Sequence, residues 1–374
     1  MTGRESGRAG TPLERVLVVR NDGLGDLILT LPLIASLKKQ WPQCRVTVLM
    51  NAALAPLAPL LGDVEDIIAD PGVLLKRHLS GVSPEVRRAG EAALIEEVRA
   101  GGFDAALLPY AESATARLVH RAGIPLRVGP LRRAFFWRFN RHVRQTRRGS
   151  DRAEFHLNLD YLTPLGLGTG YTPPTLLLGS GWSGNRPQSV GEYVVLHPHK
   201  RSGTALTWPL EHFVALGEGL NQAGYAVTVV GDEADRPVLE GAFAKHFWAQ
   251  MAIGRPLTEL GRLIAAAQLF VGNSSGPLHL AGLVGTPHVA FYPQDRVSAP
   301  ARWRTLPTPG APQAFRDYLL ATTFPKACVA CVGPRCPYYP CVASLTLADA
   351  WQAIAAWGLR VPETPGAEQH NPRQ

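Results

Sequence analysis

The amino-acid sequence predicts two doubly wound α/β domains in tandem. Apolar, β-branched runs alternate with helical patterns along the chain, which is typical of a mostly parallel sheet. At 374 residues the chain is also longer than one hydrophobic core usually holds. A stretch rich in Gly, Pro and Ser, from about residue 169 to 192, has the composition of a linker, and the alternation begins again after it.

These observations divide the chain into a first domain over residues 1–170, a linker over 171–192, a second domain over 193–345, and a C-terminal helix and tail over 346–374. After an opening strand from Arg15, the first domain has predicted strands at 45–50, 64–69 and 103–108 and helices at 52–61, 85–100 and 112–121. The second has predicted strands at 193–197, 226–230, 269–272 and 288–291, and helices at 209–222, 235–245, 257–268 and 276–284.

The first domain is organised around residues 15–32, RVLVVRNDGLGDLILTLP. A buried strand breaks at a polar, glycine-containing turn and a helix follows, so the turn lies where open α/β sheets bind ligands. Asp26 is the candidate catalytic residue of this turn; the alternative is an ordinary helix N-cap. Gly23 and Gly25 form only a fragment of a dinucleotide-binding fingerprint, which disfavours an NAD-dependent dehydrogenase.

The composition indicates an anionic partner. The formal net charge is +8 and the pI is about 9.4, which suits a nucleotide, a phosphorylated glycan, nucleic acid or a membrane surface. The N-terminus lacks the apolar core of a signal peptide, and no apolar run is long enough to span a bilayer. We therefore expect a cytoplasmic location.

The second domain contains a candidate anion site in residues 271–287, VGNSSGPLHLAGLVGTP. A strand ends in a turn with Ser274, Ser275 and Gly276, and Pro277 suits the first turn of the next helix. The amides and dipole at this helix end would hold a diphosphate. The alternative is a capped helix without a ligand.

Two further turns carry charged residues just past predicted strands. Lys200 and Arg201, beside Ser202, are placed to neutralise phosphate. Asp235 could accept from ribose hydroxyls, although acids in the first turn of a helix are commonly explained by the helix dipole alone. His197 and His199 have no metal partners in register, so packing or solvent contact explains them better.

Residues 132–148 hold seven arginines and no acid, interleaved with aromatic residues. Such a segment could lie on an anionic membrane surface or grip acidic groups, and the alternative is a solvated basic helix whose aromatic residues face the core. No nucleic-acid recognition module accompanies it. With Gly25, the arginines Arg132, Arg133 and Arg138 are the predicted contacts to an acceptor or to the membrane.

Four cysteines, Cys328, Cys331, Cys336 and Cys341, lie close together in a Pro-rich loop. Four nearby thiols suit a structural zinc or iron-sulfur site. The alternatives are reduced thiols or disulfides, because the spacing matches no common metal pattern. Cys44 stands apart and is expected to be buried.

Taken together, the sequence resembles glycosyltransferase family 9, the bacterial lipopolysaccharide heptosyltransferases. The resemblance rests on RVLVVRNDGLGDLILTLPLIASLKKQWP and GRPLTELGRLIAAAQLFVGNSSGPLHLAGLVGTPHVAFYP, and it covers approximately residues 14–345. It implies a GT-B fold, in which two Rossmann-like domains face each other across a cleft, the first binding an acceptor and the second a nucleotide-activated heptose. The cysteine cluster also resembles one found in part of the family.

The resemblance further implies an inverting transfer that requires no metal or other cofactor, with Asp26 as the general base. The residues that it assigns to donor binding are Ser274, Ser275, Gly276 and His279, with Ser202 and Asp235 as weaker matches and Lys200 or Arg201 supplying positive charge. The chain departs from better-known members at Ser274, where they usually carry aspartate, and at Leu206, where many carry lysine.

The predicted function is therefore transfer of a sugar, most simply heptose from ADP-heptose, to a lipopolysaccharide core or related anionic, lipid-linked glycan. The acceptor would be met at the cytoplasmic face of the inner membrane. One alternative is a nucleotide-sugar epimerase of similar architecture. The other is a non-catalytic nucleotide-sugar-binding protein, which the changes at Ser274 and Leu206 would suit.

Overall fold

The computed structural model describes residues 12–75, 81–147, 150–177, 192–199, 207–293, 295, 297–307 and 331–362, and the backbone of 318–320. The first lobe contains a parallel sheet of β1 (Arg15–Val19), β2 (Arg45–Asn51), β3 (Asp66–Asp70), β4 (Ala105–Leu107), β5 (Leu126–Pro130) and β6 (Arg141–Val143). Its helices are α1 (Leu24–Ile28), α2 (Leu31–Gln40), α3 (Pro84–Ala100), α4 (Ser113–Arg121) and α5 (Glu154–Leu159).

The second lobe repeats this plan. Its parallel strands are β7 (Tyr193–His197), β8 (Ala226–Gly231), β9 (Ala249–Ile253), β10 (Leu269–Asn273), β11 (His288–Tyr292) and β12 (Tyr318–Leu320). Its helices are α6 (Leu210–Gln222), α7 (Arg236–Phe243), α8 (Leu257–Ala266), α9 (Gly276–Val284), α10 (Pro300–Trp303) and α11 (Leu347–Ala355).

Both sheets have the strand order of a Rossmann fold. The order is β3-β2-β1-β4-β5-β6 in the first lobe and β12-β11-β10-β7-β8-β9 in the second, which is the same order counted from each lobe's first strand. The prediction of two doubly wound domains is confirmed, whereas the exact domain boundaries stay predictions. In each sheet the order reverses between the first and fourth strands, so the loops after β1, β4, β7 and β10 flank the crevices where such sheets bind ligands.

Several elements differ from the sequence prediction. The opening helix is split into α1 and α2, because Pro32 has no N–H to bond the carbonyl four residues earlier. The predicted helix at 52–61 is a 3₁₀ helix, Ala52–Leu60, with Pro56 and Pro59 inside it. Strands β5, β6 and β9 were not predicted, because they are short and their composition is mixed.

The lobes share a buried apolar contact. Ile28 and Leu29, at the end of α1, are buried in one cluster with Leu278 and Leu280 of α9. Phe155 of α5 belongs to the same cluster. Among the residues that the structure describes, no helix is both long and apolar enough to cross a bilayer.

Candidate active site

The turn after β1 is held rigidly by buried polar contacts. Asn21 donates from its side-chain amide to Oδ2 of Asp70 over 2.6 Å. Asp70 is fully buried, and its other oxygen accepts from the backbone amides of Gly72 and Val73. The ends of β1 and β3 are thereby tied together, which fixes the direction in which α1 leaves the sheet.

Asp26 is not the cap of α1. The N-cap is Gly23, no side chain caps the helix, and Asp26 lies in its first turn. The carboxylate instead accepts a hydrogen bond from Arg20 over 2.7 Å, and the side chain remains 22% exposed. The capping alternative is therefore wrong, and Asp26 is a partly exposed carboxylate that is held by a cation.

Arg20 organises this part of the site. Its guanidinium is buried and donates to Asp22 over 2.9 Å as well as to Asp26. Burial by itself would lower the pKa of Arg20, but the charges of Asp22 and Asp26 outweigh burial and raise it. Arg20 is thus a permanent cation that fixes the orientation of both carboxylates.

Arg147 lies near this cluster. It donates to the carbonyl oxygen of Pro109, after β4, over 2.7 Å and to the side chain of Asn158 over 3.1 Å. Burial, together with the charge of Arg20, lowers the pKa of Arg147 to about 10. A second, largely buried guanidinium group therefore lies beside the Arg20 cluster.

In the second lobe, the turn that is predicted to bind an anion lies between the end of β10 and the start of α9. Asn273 accepts from the amide of Trp208 and donates to the carbonyl of Pro198, 2.8 Å in each case, which ties the turn to the loop after β7. Ser275 is the N-cap of α9, but its hydroxyl lies 3.2 Å from Nδ1 of His197 and does not cap the helix. The first-turn amides of α9 are therefore not satisfied by that hydroxyl, as a phosphate site requires.

The two candidate sites meet because α1 and α9 pack against each other. A Cβ built on Gly25 would lie 2.5 Å from Cδ2 of the His279 ring, and a Cβ on Gly276 would lie 3.0 Å from Cβ of Leu24. Glycine at both positions lets the helix ends approach this closely. Asp26 therefore lies one residue from a direct contact with α9.

The other predicted donor residues are placed as follows. Asp235 is buried, accepts from Nδ1 of His199 over 2.9 Å and closes a capping box with Asp232. His279 is buried against Gly25. A ribose contact for Asp235 and a donor contact for His279 remain predictions. Lys200, Arg201 and Ser202 lie outside the described residues, as does Leu206.

The cysteine cluster is only partly described. Cys331, Cys336 and Cys341 form no disulfide with one another, and Cys328 lies outside the described residues. In the described ranges, no three His, Cys, Asp or Glu side chains are gathered so that they could hold a metal ion. The described thiols therefore do not by themselves fit a zinc or iron-sulfur site, which stays a prediction. Cys44 is buried, and burial raises its pKa to about 11.

The arginine-rich segment does not form the basic helix that was one alternative for it. Its regular structure is a 3₁₀ turn, Phe136–Arg138, and strand β6, because the segment supplies an edge strand. Phe139 is buried, whereas Phe136 is 46% and Trp137 58% exposed. Arg138 lies 4.7 Å over the ring of Trp137 and donates to Ser113.

Exposed cations belong to the same segment as these aromatic rings. The described arginines Arg132, Arg133, Arg141 and Arg144 are exposed. Burial, and then the charges of Arg117 and Arg121 on α4, lower the pKa of Arg138. We call the surface of Phe136, Trp137 and these exposed arginines the basic-aromatic face.

Several residues near Asp26 are not among the sequence predictions. Arg20 could have been noticed, since it directly precedes the polar turn after β1. Glu154, Asn158 and Arg302 lie in stretches without a local signal, and only folding brings them to the cleft.

The GT-B fold consists of two Rossmann-like lobes whose carboxyl-end loops face each other across a cleft. In this chain Asp26 on α1 and the start of α9 lie where the two lobes meet. The sequence model of glycosyltransferase family 9 (heptosyltransferase) matches residues 91–312. The chain belongs to this family and is a glycosyltransferase.

Individual relatives agree with this assignment. Lipopolysaccharide heptosyltransferase 3 of Escherichia coli is 29% identical over 282 residues, covering 72% of this chain and 80% of the relative. The glycosyltransferase family 9 structure from Veillonella parvula superposes with a TM-score of 0.73 at 18% identity, covering 93% and 99% of the two chains. The structure of the E. coli heptosyltransferase WaaC with ADP superposes with a TM-score of 0.70 at 18% identity, covering 92% of this chain and 99% of that structure. At these identities the solved structures show the shared fold.

Proposed function

We propose that this chain is an inverting heptosyltransferase that moves heptose from ADP-heptose to a lipopolysaccharide core or related lipid-linked glycan. The proposal is carried by one observation: α1, which bears Asp26, contacts the amino-terminal half of α9, with Gly25 against His279. The name of the E. coli relative, a lipopolysaccharide heptosyltransferase, supports the choice of sugar and acceptor.

The reaction is a single displacement. Asp26 takes the proton of the acceptor hydroxyl while the oxygen of that hydroxyl attacks the anomeric carbon. The bond between the anomeric carbon and the nucleoside diphosphate breaks, and the departing diphosphate keeps the electron pair. Attack opposite the leaving group inverts the anomeric centre and needs no enzyme nucleophile. The amides at the start of α9 bind the departing diphosphate, with Lys200 or Arg201 as the proposed countercharges.

Nucleotide sugars test the donor directly. We expect ADP-heptose to raise the thermal midpoint more than UDP- or GDP-sugars, because a ligand that binds only the folded state stabilises it by mass action. Transfer is measured with a lipid-linked core glycan, with and without EDTA, and we expect chelation to leave it unchanged. Donor conversion without acceptor would identify an epimerase, and binding without transfer a non-catalytic protein; either result would refute the proposal.

We also propose that the basic-aromatic face contacts the cytoplasmic leaflet, where the acceptor lies. Arginines attract anionic headgroups, and exposed aromatic rings settle at the lipid interface. Phe136 and Trp137 are exposed beside Arg132 and Arg133, which supports this role.

A further inference from the structure

A buried carboxylate lies where the two lobes meet. Glu154, the first residue of α5, is 1% exposed, and its Oε1 lies 3.6 Å from Arg20 and also pairs with Arg147. Its Oε2 accepts from Nε of Arg302, in α10, over 3.2 Å. Arg20 and Arg147 belong to the first lobe and Arg302 to the second. One carboxylate therefore binds guanidinium groups from both lobes.

The same carboxylate is connected to the candidate base. The Arg20 nitrogen that faces Glu154 is the one that donates to Asp26 over 2.7 Å. A chain of ion pairs thus runs from Arg302 through Glu154 and Arg20 to Asp26.

Burial makes this chain of charges sensitive to the position of α10. The side chain of Arg302 is 12% exposed, and its guanidinium also lies 4.8 Å over the Trp303 ring. If the lobes separate, Glu154 loses its ion pair with Arg302 while its carboxylate stays buried. Its ion pairs with Arg20 and Arg147 must then change to compensate the buried charge. Arg147 is also held by the carbonyl of Pro109 and by Asn158, whose side-chain oxygen accepts from Arg20 as well. Arg20 is the partner of Glu154 that donates directly to Asp26, so its change reaches the candidate base.

We propose that Glu154 is a positioning residue that couples the docking of the second lobe to the orientation of Arg20 and Asp26. Arg302 of the second lobe provides the link, because it binds Glu154 only when the lobes are docked. The candidate base, Asp26, then has its productive orientation only while the second lobe is docked against the first. The kinetic part of this inference rests on the proposed function, whereas the coupling of the lobes does not.

The test uses the full chain with Glu154→Gln, Arg302→Gln and the double variant. We expect each single change to lower kcat by about tenfold or more, equivalent to roughly 1.4 kcal/mol. The double variant should lose little more than the worse single variant, because both changes break one connection. Arg302→Lys, which keeps the charge, should restore part of kcat.

Arg304→Gln is the matched control, because Arg304 also contacts α5, over the Phe155 ring, but is not among the cations on Glu154. We expect it to leave kcat unchanged. Small-angle X-ray scattering of the ligand-free protein supplies a readout without catalysis: the radius of gyration should rise for Arg302→Gln and not for Arg304→Gln.

Additive losses in the double variant, or an Arg302→Gln variant that matches Arg304→Gln in both kcat and scattering, would overturn the coupling. If Glu154→Gln does not fold, the two Arg302 variants and the control decide the question alone. If the wild-type chain transfers no sugar, the proposed function fails, and scattering still tests the coupling of the lobes.

Discussion

At the level of single residues, the chemistry depends on how one carboxylate is held. Asp26 accepts from Arg20 and keeps 22% of its side chain exposed, so one oxygen is fixed while the group stays accessible. Arg20 suits this role better than lysine, because its planar fork binds Asp22 and Asp26 at once. The buried guanidinium therefore orients the carboxylate.

Asp26→Asn removes the proton acceptor while it preserves the shape of the side chain. We expect kcat to fall by at least about a hundredfold, the usual contribution of a general base, with donor binding and fold retained. Transfer kinetics, thermal shift with ADP-heptose and circular dichroism measure the three properties. Asp66→Asn, at an exposed position on β3, is the control. Near-normal turnover by Asp26→Asn would remove Asp26 from the mechanism.

At the level of elements, the site exists because α1 and α9 approach closely. The Gly25 backbone lies against the ring of His279, which is itself buried. A side chain at this position would push apart the two helices that carry the candidate base and the candidate anion site. The spacing between the lobes is thus set by a glycine in the first turn of α1.

Gly25→Ala should separate these helices. Because the new Cβ would lie 2.5 Å from the His279 ring, we expect overpacking to lower the free energy of unfolding by about 1–3 kcal/mol and to impair transfer. Chemical denaturation and kinetics measure both effects. Gly241→Ala is the matched control: Gly241 lies in α7, and an added Cβ would meet no other described part of the chain within 4 Å, so alanine should stabilise by up to about 1 kcal/mol. Equal behaviour of the two variants would contradict the close contact.

At the level of the whole molecule, a net charge of +8 is distributed unevenly. The basic-aromatic face concentrates exposed arginines around Phe136 and Trp137 at the edge of the first lobe, the lobe proposed to bind the acceptor. A lipid-linked acceptor would then reach the cleft from the surface on which the enzyme rests.

Vesicle binding tests this arrangement. We expect the protein to sediment with vesicles containing phosphatidylglycerol, less so at high salt, and weakly with phosphatidylcholine alone, because headgroup attraction is electrostatic. Trp137→Ser should weaken binding by roughly tenfold, or about 1.4 kcal/mol. Phe247→Ser is the control, since Phe247 is 96% exposed but lies on the second lobe. Unchanged binding by Trp137→Ser would exclude this face as the contact.

The amino-acid sequence by itself determined the two-lobed α/β fold, the strand-to-helix turns at Asp26 and Ser275, and the family. These features are encoded by local sequence patterns: apolar runs, glycine and proline at turns, and short motifs at strand ends. Short strands such as β6 were missed, because an edge strand in an arginine-rich stretch is stabilised by its neighbour β5 and not by its own composition.

Only the tertiary structure decided which residues surround Asp26. Arg20 and Asp26 are six positions apart, but Glu154 and Arg302 are separated by 148 positions and come together because two lobes dock. No periodicity or spacing encodes such a pairing, since it depends on how helices α5 and α10 pack across the interface. The local sequence thus points to Asp26 as the candidate base, whereas long-range packing sets the charges around Asp26 and its distance from α9.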